Sequence, residues 1–276
     1  MNIFEKKIKC SVPILTLNSA RWLEQCLESV KDFDDVYIFD GNSTDDTMAI
    51  AKKYNVPVHK QYDSEEKNIR IKNFTEIRIR AHKAHRYDWI LILDSDEYIS
   101  AGLSDDIRRV LSGTPEAKTA YVAEIKMVIG GKVIEHTFNN FPYALRLFNV
   151  HSGIAWKGAK IVHEKLAMPE DIQIATLSHP FYSYSASSYR EAVKKDDYYL
   201  SLSRQKMFSK ARSEKSKKTI IIAAVKNFLR AVNIVRKSVI MYIQHGFAHT
   251  LPVSHVWRYI RYHLLISWYR IQELYK

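Results

Sequence analysis

The sequence predicts an α/β fold with a mostly parallel N-terminal sheet, a mixed β half after it, and a helical C-terminal extension. Three observations point there. Short apolar runs of strand length alternate with helical periodicity from the N-terminus to about residue 100. A hairpin signal, Gly130-Gly131, then stands among further short apolar runs. From about Ser187 onward the chain is rich in Lys and Arg, and Gly246 is its last glycine. This shift in composition sets a boundary near residue 185, giving one α/β domain over 1–185 and a basic amphipathic helical region over 186–276.

Taken in order, residues 8–17 read as a buried strand. Residues 19–31 place Trp22, Leu23, Cys26, Leu27 and Val30 on one face of a helix. Val36–Phe39 is a second strand, and Ser43-Thr44-Asp45-Asp46 supplies capping residue types for a helix over 47–54. A short strand at 56–58 and a long helical stretch from about 68 to 86 lead to Trp89-Ile90-Leu91-Ile92-Leu93. That unbroken apolar run suits a strand covered on both faces. Beyond it, 121–128, 132–135, 144–148 and 161–163 read as strands.

Lys plus Arg against Asp plus Glu is 24 to 25 over residues 1–185 and 18 to 5 over 186–276, so the surplus basicity lies in the tail. A near-neutral body with a basic, aromatic tail predicts that the tail meets an anionic surface. Cys10 and Cys26 stand in apolar segments without metal-ligand spacing, which predicts a reducing compartment. The first residues lack an apolar signal core, which predicts no export. No glycine-rich phosphate loop is present, so phosphate must be held another way.

The run at 89–93 ends in Asp94-Ser95-Asp96-Glu97. Two carboxylates at i and i+2, where a strand meets a loop, can chelate a hard divalent cation whose other positions go to diphosphate oxygens. Asp40 and Asp94 both follow apolar strands, and in open α/β sheets ligands bind beyond the carboxyl ends of strands.

The blocks Pro13-Ile14-Leu15-Thr16-Leu17-Asn18, Asp40-Gly41-Asn42-Ser43-Thr44-Asp45-Asp46-Thr47 and Trp89 to Glu97 resemble, in order and spacing, the family two glycosyltransferases of GT-A fold, a Rossmann-like mixed sheet that binds nucleotide-sugars. Arg146-Leu147-Phe148, Val162-His163-Glu164 and His179 with Tyr182 and Tyr184 resemble later blocks of bacterial members that build lipopolysaccharide core or related surface glycans. The resemblance covers about residues 8–205. It implies a UDP-sugar donor held by Thr16, Asp40, Asp94 and Ser95, with Mn2+ or Mg2+ on Asp94 and Asp96; Arg78 and Arg146 are candidates for its phosphates because a guanidinium pairs with phosphate oxygens in a fixed fork, and His163 is a candidate to orient substrate, pair with Asp96 or ligate the metal. Thr16 and Asp40 would contact uracil, Asp94 the ribose or metal, and Asp96 the metal. Many relatives carry an Arg-Asn pair where this chain reads Arg78-Ile79. Inverting transfer needs a base for the acceptor hydroxyl, and Glu164 is the choice, with Asp171 and Glu97 as competitors. Glu97 is alternatively a cap for the helix starting near Leu103.

On a helix over 216–243, Ile221, Val225, Phe228, Val232, Val235 and Val239 recur at spacings of four and three, with Lys226, Arg230, Asn233 and Lys237 on another face. This predicts a membrane-associating extension at the inner face of the cytoplasmic membrane. The expected acceptor is a lipid-linked saccharide, with no nucleic-acid partner, and homo-oligomerisation is left open. Two other readings stand beside this one: a polyprenyl-phosphate sugar synthase of the same fold, which needs no strong base, and a non-enzymatic module whose tail binds membrane or nucleic acid.

Overall fold

The computed structural model describes residues 6–157, 165–186, 189–208 and 216–275. Its chain divides into two compact units, residues 1–125 with 142–183, and residues 126–141 with 184–276. In this division the hairpin region 126–141 goes with the C-terminal helices.

The first unit begins with strand β1 (Ile8–Thr16), helix α1 (Ala20–Ser29), strand β2 (Phe33–Asp40), helix α2 (Thr47–Lys53) and strand β3 (Val58–Lys60). Helix α3 (Phe74–Lys83), β4 (Trp89–Leu91), β5 (Glu97–Ile99) and helix α4 (Ala101–Ser112) follow. β1, β2, β3 and β4 are joined by parallel pairings, with β1 between β2 and β4. Alternate residues of the run from Ile90 to Leu93 are buried in different clusters. Leu91 and Leu93 join Val12, Ile14 and Leu27, whereas Ile90 and Ile92 join Phe148 and Ile154. Burial of both faces explains why this run shows no alternation.

The order changes after α4. β6 (Thr119–Ile129) leads through the Gly130-Gly131 turn into β7 (Lys132–Val133), and both glycines have positive φ, 58° and 77°, as a two-residue hairpin turn requires. β8 (Tyr143–Asn149) pairs antiparallel with both β4 and β6, which makes the sheet mixed. β9 (Ala155–Lys157) pairs antiparallel with β10 (Lys165–Ala167), β11 (Gln173–Thr176) runs parallel to β6, and β12 (Phe181–Ala186) pairs antiparallel with β5. The strand expected at 161–163 lies outside the described residues.

The second unit holds helices α5 (Tyr189–Phe208), α6 (Lys217–His245) and α7 (Val253–Glu273). α6 packs on α7 and buries Ala224, Ala231, Ile234, Ser238 and Met241, Ile234 and Met241 in a cluster with Ile134, Leu251 and Val256, and Ser267 Oγ donates to Ala224 O at 2.9 Å. α5 is tied to α7 by Asp196 with Arg258 at 3.0 Å and Asp197 with Arg261 at 2.8 Å. No helix among the described residues is long and apolar enough to cross a membrane.

Candidate active site

The carboxyl ends of β1, β2 and β4 lie side by side because the strands are parallel neighbours, and this brings three separate sequence blocks together. A cleft of about 600 Å³ opens there in the first unit. Thr16 to Ser19 from the end of β1, Arg78 from α3, and Asp94, Ser95 and Asp96 after β4 contribute to its walls.

Asp40 ends β2 and is buried. Its Oδ1 accepts from Thr16 Oγ1 at 2.7 Å and from Ser43 Oγ at 2.6 Å, and its Oδ2 accepts from the Ser43 amide at 2.7 Å. The carboxylate thereby locks the end of β1 to the turn after β2. Asp40 lines a second cleft of about 400 Å³ with Ser43, His59 and Lys60. Gly41 is confined by close backbone approach: a Cβ there would sit 2.7 Å from Ile69 O.

Asp94 accepts from Arg78 Nη2 at 2.8 Å. Burial works to raise the Asp94 pKa, but the charge and hydrogen bond of Arg78, with Arg146 farther off, outweigh it and hold the carboxyl below its ordinary value. Arg78 also stands over the Trp156 ring, 5.0 Å from its centroid. Trp156 Nε1 in turn donates to His82 Nδ1 at 3.3 Å, and burial together with the Arg78 charge pushes the His82 pKa down to about 3. Ser95 Oγ lies 3.0 Å from Ser19 Oγ, and Asp96 is exposed at the cleft.

Arg146 corrects an expectation. It was expected at the donor phosphates, but its guanidinium is buried and forked onto Glu97, with Nη1 to Oε2 at 2.6 Å and Nη2 to Oε1 at 2.9 Å. Nη1 also donates to Ile92 O at 3.0 Å, and the group lies over the Phe181 ring. A guanidinium that reads as a phosphate ligand in sequence is spent on a neighbouring carboxylate, because β8 runs beside β4. Glu97 likewise neither caps α4, where Ser100 Oγ accepts from the Leu103 amide, nor stands open as a base. Its Oε2 accepts from the Asp94 amide at 3.1 Å and its own amide donates to Asp94 O at 3.0 Å, so the Arg146–Glu97 pair braces the Asp94-Ser95-Asp96 turn from behind. Burial drives the Glu97 pKa up to about 7 against the pull of Arg146, and the Asp94 charge adds to the rise.

Asp171, the other competing base, pairs with Lys118 at 2.9 Å. Glu164 and His163 lie outside the described residues, between β9 and β10 in the chain. Several residues of the cleft carried no sequence signal. Trp22 reads as core on the apolar face of α1 but lines the cleft, as do Arg70 and Phe74. Gln61 Nε2 donates to Thr16 O at 3.0 Å and Phe39 O at 2.8 Å, tying the ends of β1 and β2.

Among the described residues no cluster of three or more His, Cys, Asp or Glu side chains is poised for a metal ion. Asp94 and Asp96 nevertheless fit Mg2+ or Mn2+ in the mode where one or two carboxylates are completed by phosphate oxygens and water. The donor set is all oxygen, faces a cleft and follows a rigid strand.

A family model described as Glycosyl transferase family 2 matches residues 11–112. An uncharacterized glycosyltransferase of Rickettsia felis is 28% identical over 204 residues, covering 70% of this chain and 68% of the relative. The SPbeta prophage-derived glycosyltransferase SunS of Bacillus subtilis is 26% identical over 153 residues, 55% of this chain and 33% of SunS. Among solved structures, S. aureus TarS 1–349 in complex with UDP is similar over 97% of this chain and 91% of that one, with 20% identity and a TM-score of 0.44. Residues 11–112, from within β1 to the end of α4, thus match the model of Glycosyl transferase family 2, and the chain is similar to a glycosyltransferase over 70% of its length.

Proposed function

We propose that the chain is an inverting glycosyltransferase moving a hexose from a UDP-sugar to a lipid-linked saccharide of a bacterial envelope glycan, such as lipopolysaccharide core, at the inner face of the cytoplasmic membrane. The observation that carries the donor half of this reading is the gathering of Thr16, Arg78, Asp94, Ser95 and Asp96 around one cleft at the carboxyl ends of parallel strands. Asp96 and Asp94 would hold Mn2+ or Mg2+, which when bound neutralises charge on the departing diphosphate. Thr16 and Asp40, locked to each other at 2.7 Å, would contact the base of the nucleotide. Arg78, which donates to Asp94 at 2.8 Å, would also donate to a phosphate oxygen of the donor.

In the transfer step the acceptor hydroxyl oxygen bonds to the anomeric carbon as the bond to the diphosphate oxygen breaks, and UDP leaves with that electron pair. The hydroxyl proton goes to a carboxylate, assigned to Glu164 by resemblance. Calorimetry with UDP and manganese tests the donor half: Asp96→Ala should abolish manganese-dependent binding while leaving the melting temperature unchanged, since Asp96 is exposed. Retained binding in that variant removes Asp96 from the site. Glu164→Gln should keep UDP binding and slow UDP release from a UDP-sugar by about a hundredfold or more.

A further inference from the structure

The expected amphipathic stripe of α6 is present but lies in the open. Ile221, Val225, Phe228, Val232, Val235 and Val239 are each between 45 and 52% exposed, while a different stripe, Ile220, Ala224, Ala231, Ile234, Ser238 and Met241, is buried. Ile222, Leu229, Ile240 and Ile243 widen the open face, Ile243 reaching 78% exposure. At 3.6 residues per turn these side chains fill a continuous arc of roughly 140° along a helix about 43 Å long. Scattered apolar residues on a surface need no explanation, whereas a contiguous apolar face of this length does.

The neighbouring charges say what covers it. α6 holds no acidic residue, and Lys226, Arg230 and Lys237 line one border of the arc. Arg236 lies within the arc, where a long stem can lie along apolar surface with its charge at the edge. On α7, Trp257 and Trp268 are more than half exposed. At the C-terminal end of α6 lies a mainly apolar cleft of about 640 Å³, lined by Ile129, Ile134, Tyr242, Phe247, Leu251 and Val253 among others. An apolar arc whose own helix carries cations and no anion, with exposed tryptophans on the adjoining helix, is complementary to an anionic lipid surface: acyl chains meet the arc, headgroups the Lys and Arg, and the interface the indoles.

We infer that the open face of α6 docks the protein on the surface of an anionic phospholipid bilayer, with the helix lying in the interfacial plane. This deepens the lipid-linked acceptor of the proposed function by naming the surface that would bring the enzyme to it, yet it is measured without any sugar nucleotide.

The test is co-sedimentation of the full chain with vesicles of equal parts phosphatidylcholine and phosphatidylglycerol, against phosphatidylcholine alone. The parent should bind the anionic vesicles and release as salt rises from about 0.1 M to about 1 M. Phe228→Glu with Val232→Glu, both at exposed positions, should cut binding by at least about tenfold. Lys226→Gln, Arg230→Gln and Lys237→Gln should each weaken binding to the anionic vesicles by about fivefold. UDP affinity and circular dichroism should match the parent throughout, so a failed donor site and a failed docking face give different results. Undiminished vesicle binding by the double glutamate variant, or no vesicle binding by the parent, overturns the inference. A parent that self-associates in sedimentation velocity, without vesicles, and becomes monomeric in that variant assigns the face to a second copy and overturns it equally.

Discussion

Arg146→Gln separates the two roles that this residue can be given. In the structure the guanidinium is 8% exposed, as is Glu97, and the two share two hydrogen bonds of 2.6 and 2.9 Å. Removing one partner of such a buried pair leaves the other without its hydrogen bonds and costs about 3–5 kcal/mol. At about 2–4 °C per kcal/mol, thermal unfolding of a domain this size should fall by about 10 °C. Its effect on the donor site is smaller, because the brace reaches the Asp94 turn chiefly through the bond from the Asp94 amide to Glu97, at 3.1 Å. One such bond is worth about 0.5–1.5 kcal/mol, so UDP affinity measured well below the melting midpoint should weaken by no more than about tenfold. The double variant Arg146→Gln, Glu97→Gln removes both charges and keeps the shape of the Glu97 side chain, and should recover part of the lost stability. Differential scanning fluorimetry with calorimetry on the three variants decides it. A single variant that melts like the parent but no longer binds UDP would show that Arg146 serves phosphate and not the brace.

Two further predictions concern pH. Arg78→Met removes the charge that lowers the Asp94 pKa, so the acid limb of manganese-dependent UDP binding should move to higher pH; an unmoved limb means that Asp94 ionisation does not limit binding. His82 is the opposite case from a paired histidine. Its folded pKa is depressed to about 3, below the ordinary value of 6.5, so the unfolded chain takes up the proton first. The stability it protects is complete above pH 6.5 and is lost as pH falls towards 3, by up to about 1.4 kcal/mol per pH unit. Urea midpoints for the parent and His82→Gln between those limits should differ in slope by about one proton, and equal slopes would remove His82 from the account.

The strands that build the cleft were legible because burial leaves a direct mark on sequence. The run from Trp89 to Leu93 is apolar at successive positions since both faces are covered, and Asp94 follows abruptly because the covering stops there. Thr16, Asp40 and Asp94 could be placed at strand ends without knowing which strands were neighbours. What sequence did not carry was the pairing of charges across the sheet. Arg78 and Arg146 look alike in one dimension, each an arginine in a block of the right order, yet α3 carries one to the cleft wall and β8 carries the other behind the turn. That difference depends on β8 lying antiparallel to β4, a contact between residues more than fifty positions apart. Gln61 and Trp22 escaped for a related reason. A lone glutamine after a short strand and a tryptophan on an apolar helix face give no sign that a cleft opens beside them.

α6 shows the same limit in energetic form. Periodicity identified its bulky stripe of Ile, Val and Phe, and bulk alone argues for burial. The packed stripe is the one with Ala224, Ala231 and Ser238, because small side chains let the α7 backbone approach closely enough for Ser267 to donate to Ala224 O and for His263 to meet Asn227 at 3.2 Å. Close approach buries the small residues together with Ile220, Ile234 and Met241, and the helix thereby gains its tertiary support without using its most apolar face. A second, bulkier stripe then remains at the surface, where about 25 cal/mol for each Å² of apolar area removed from water is still to be gained by whatever covers it. The docking inference draws on that uncovered area, and α6 itself carries no acidic residue to oppose an anionic surface.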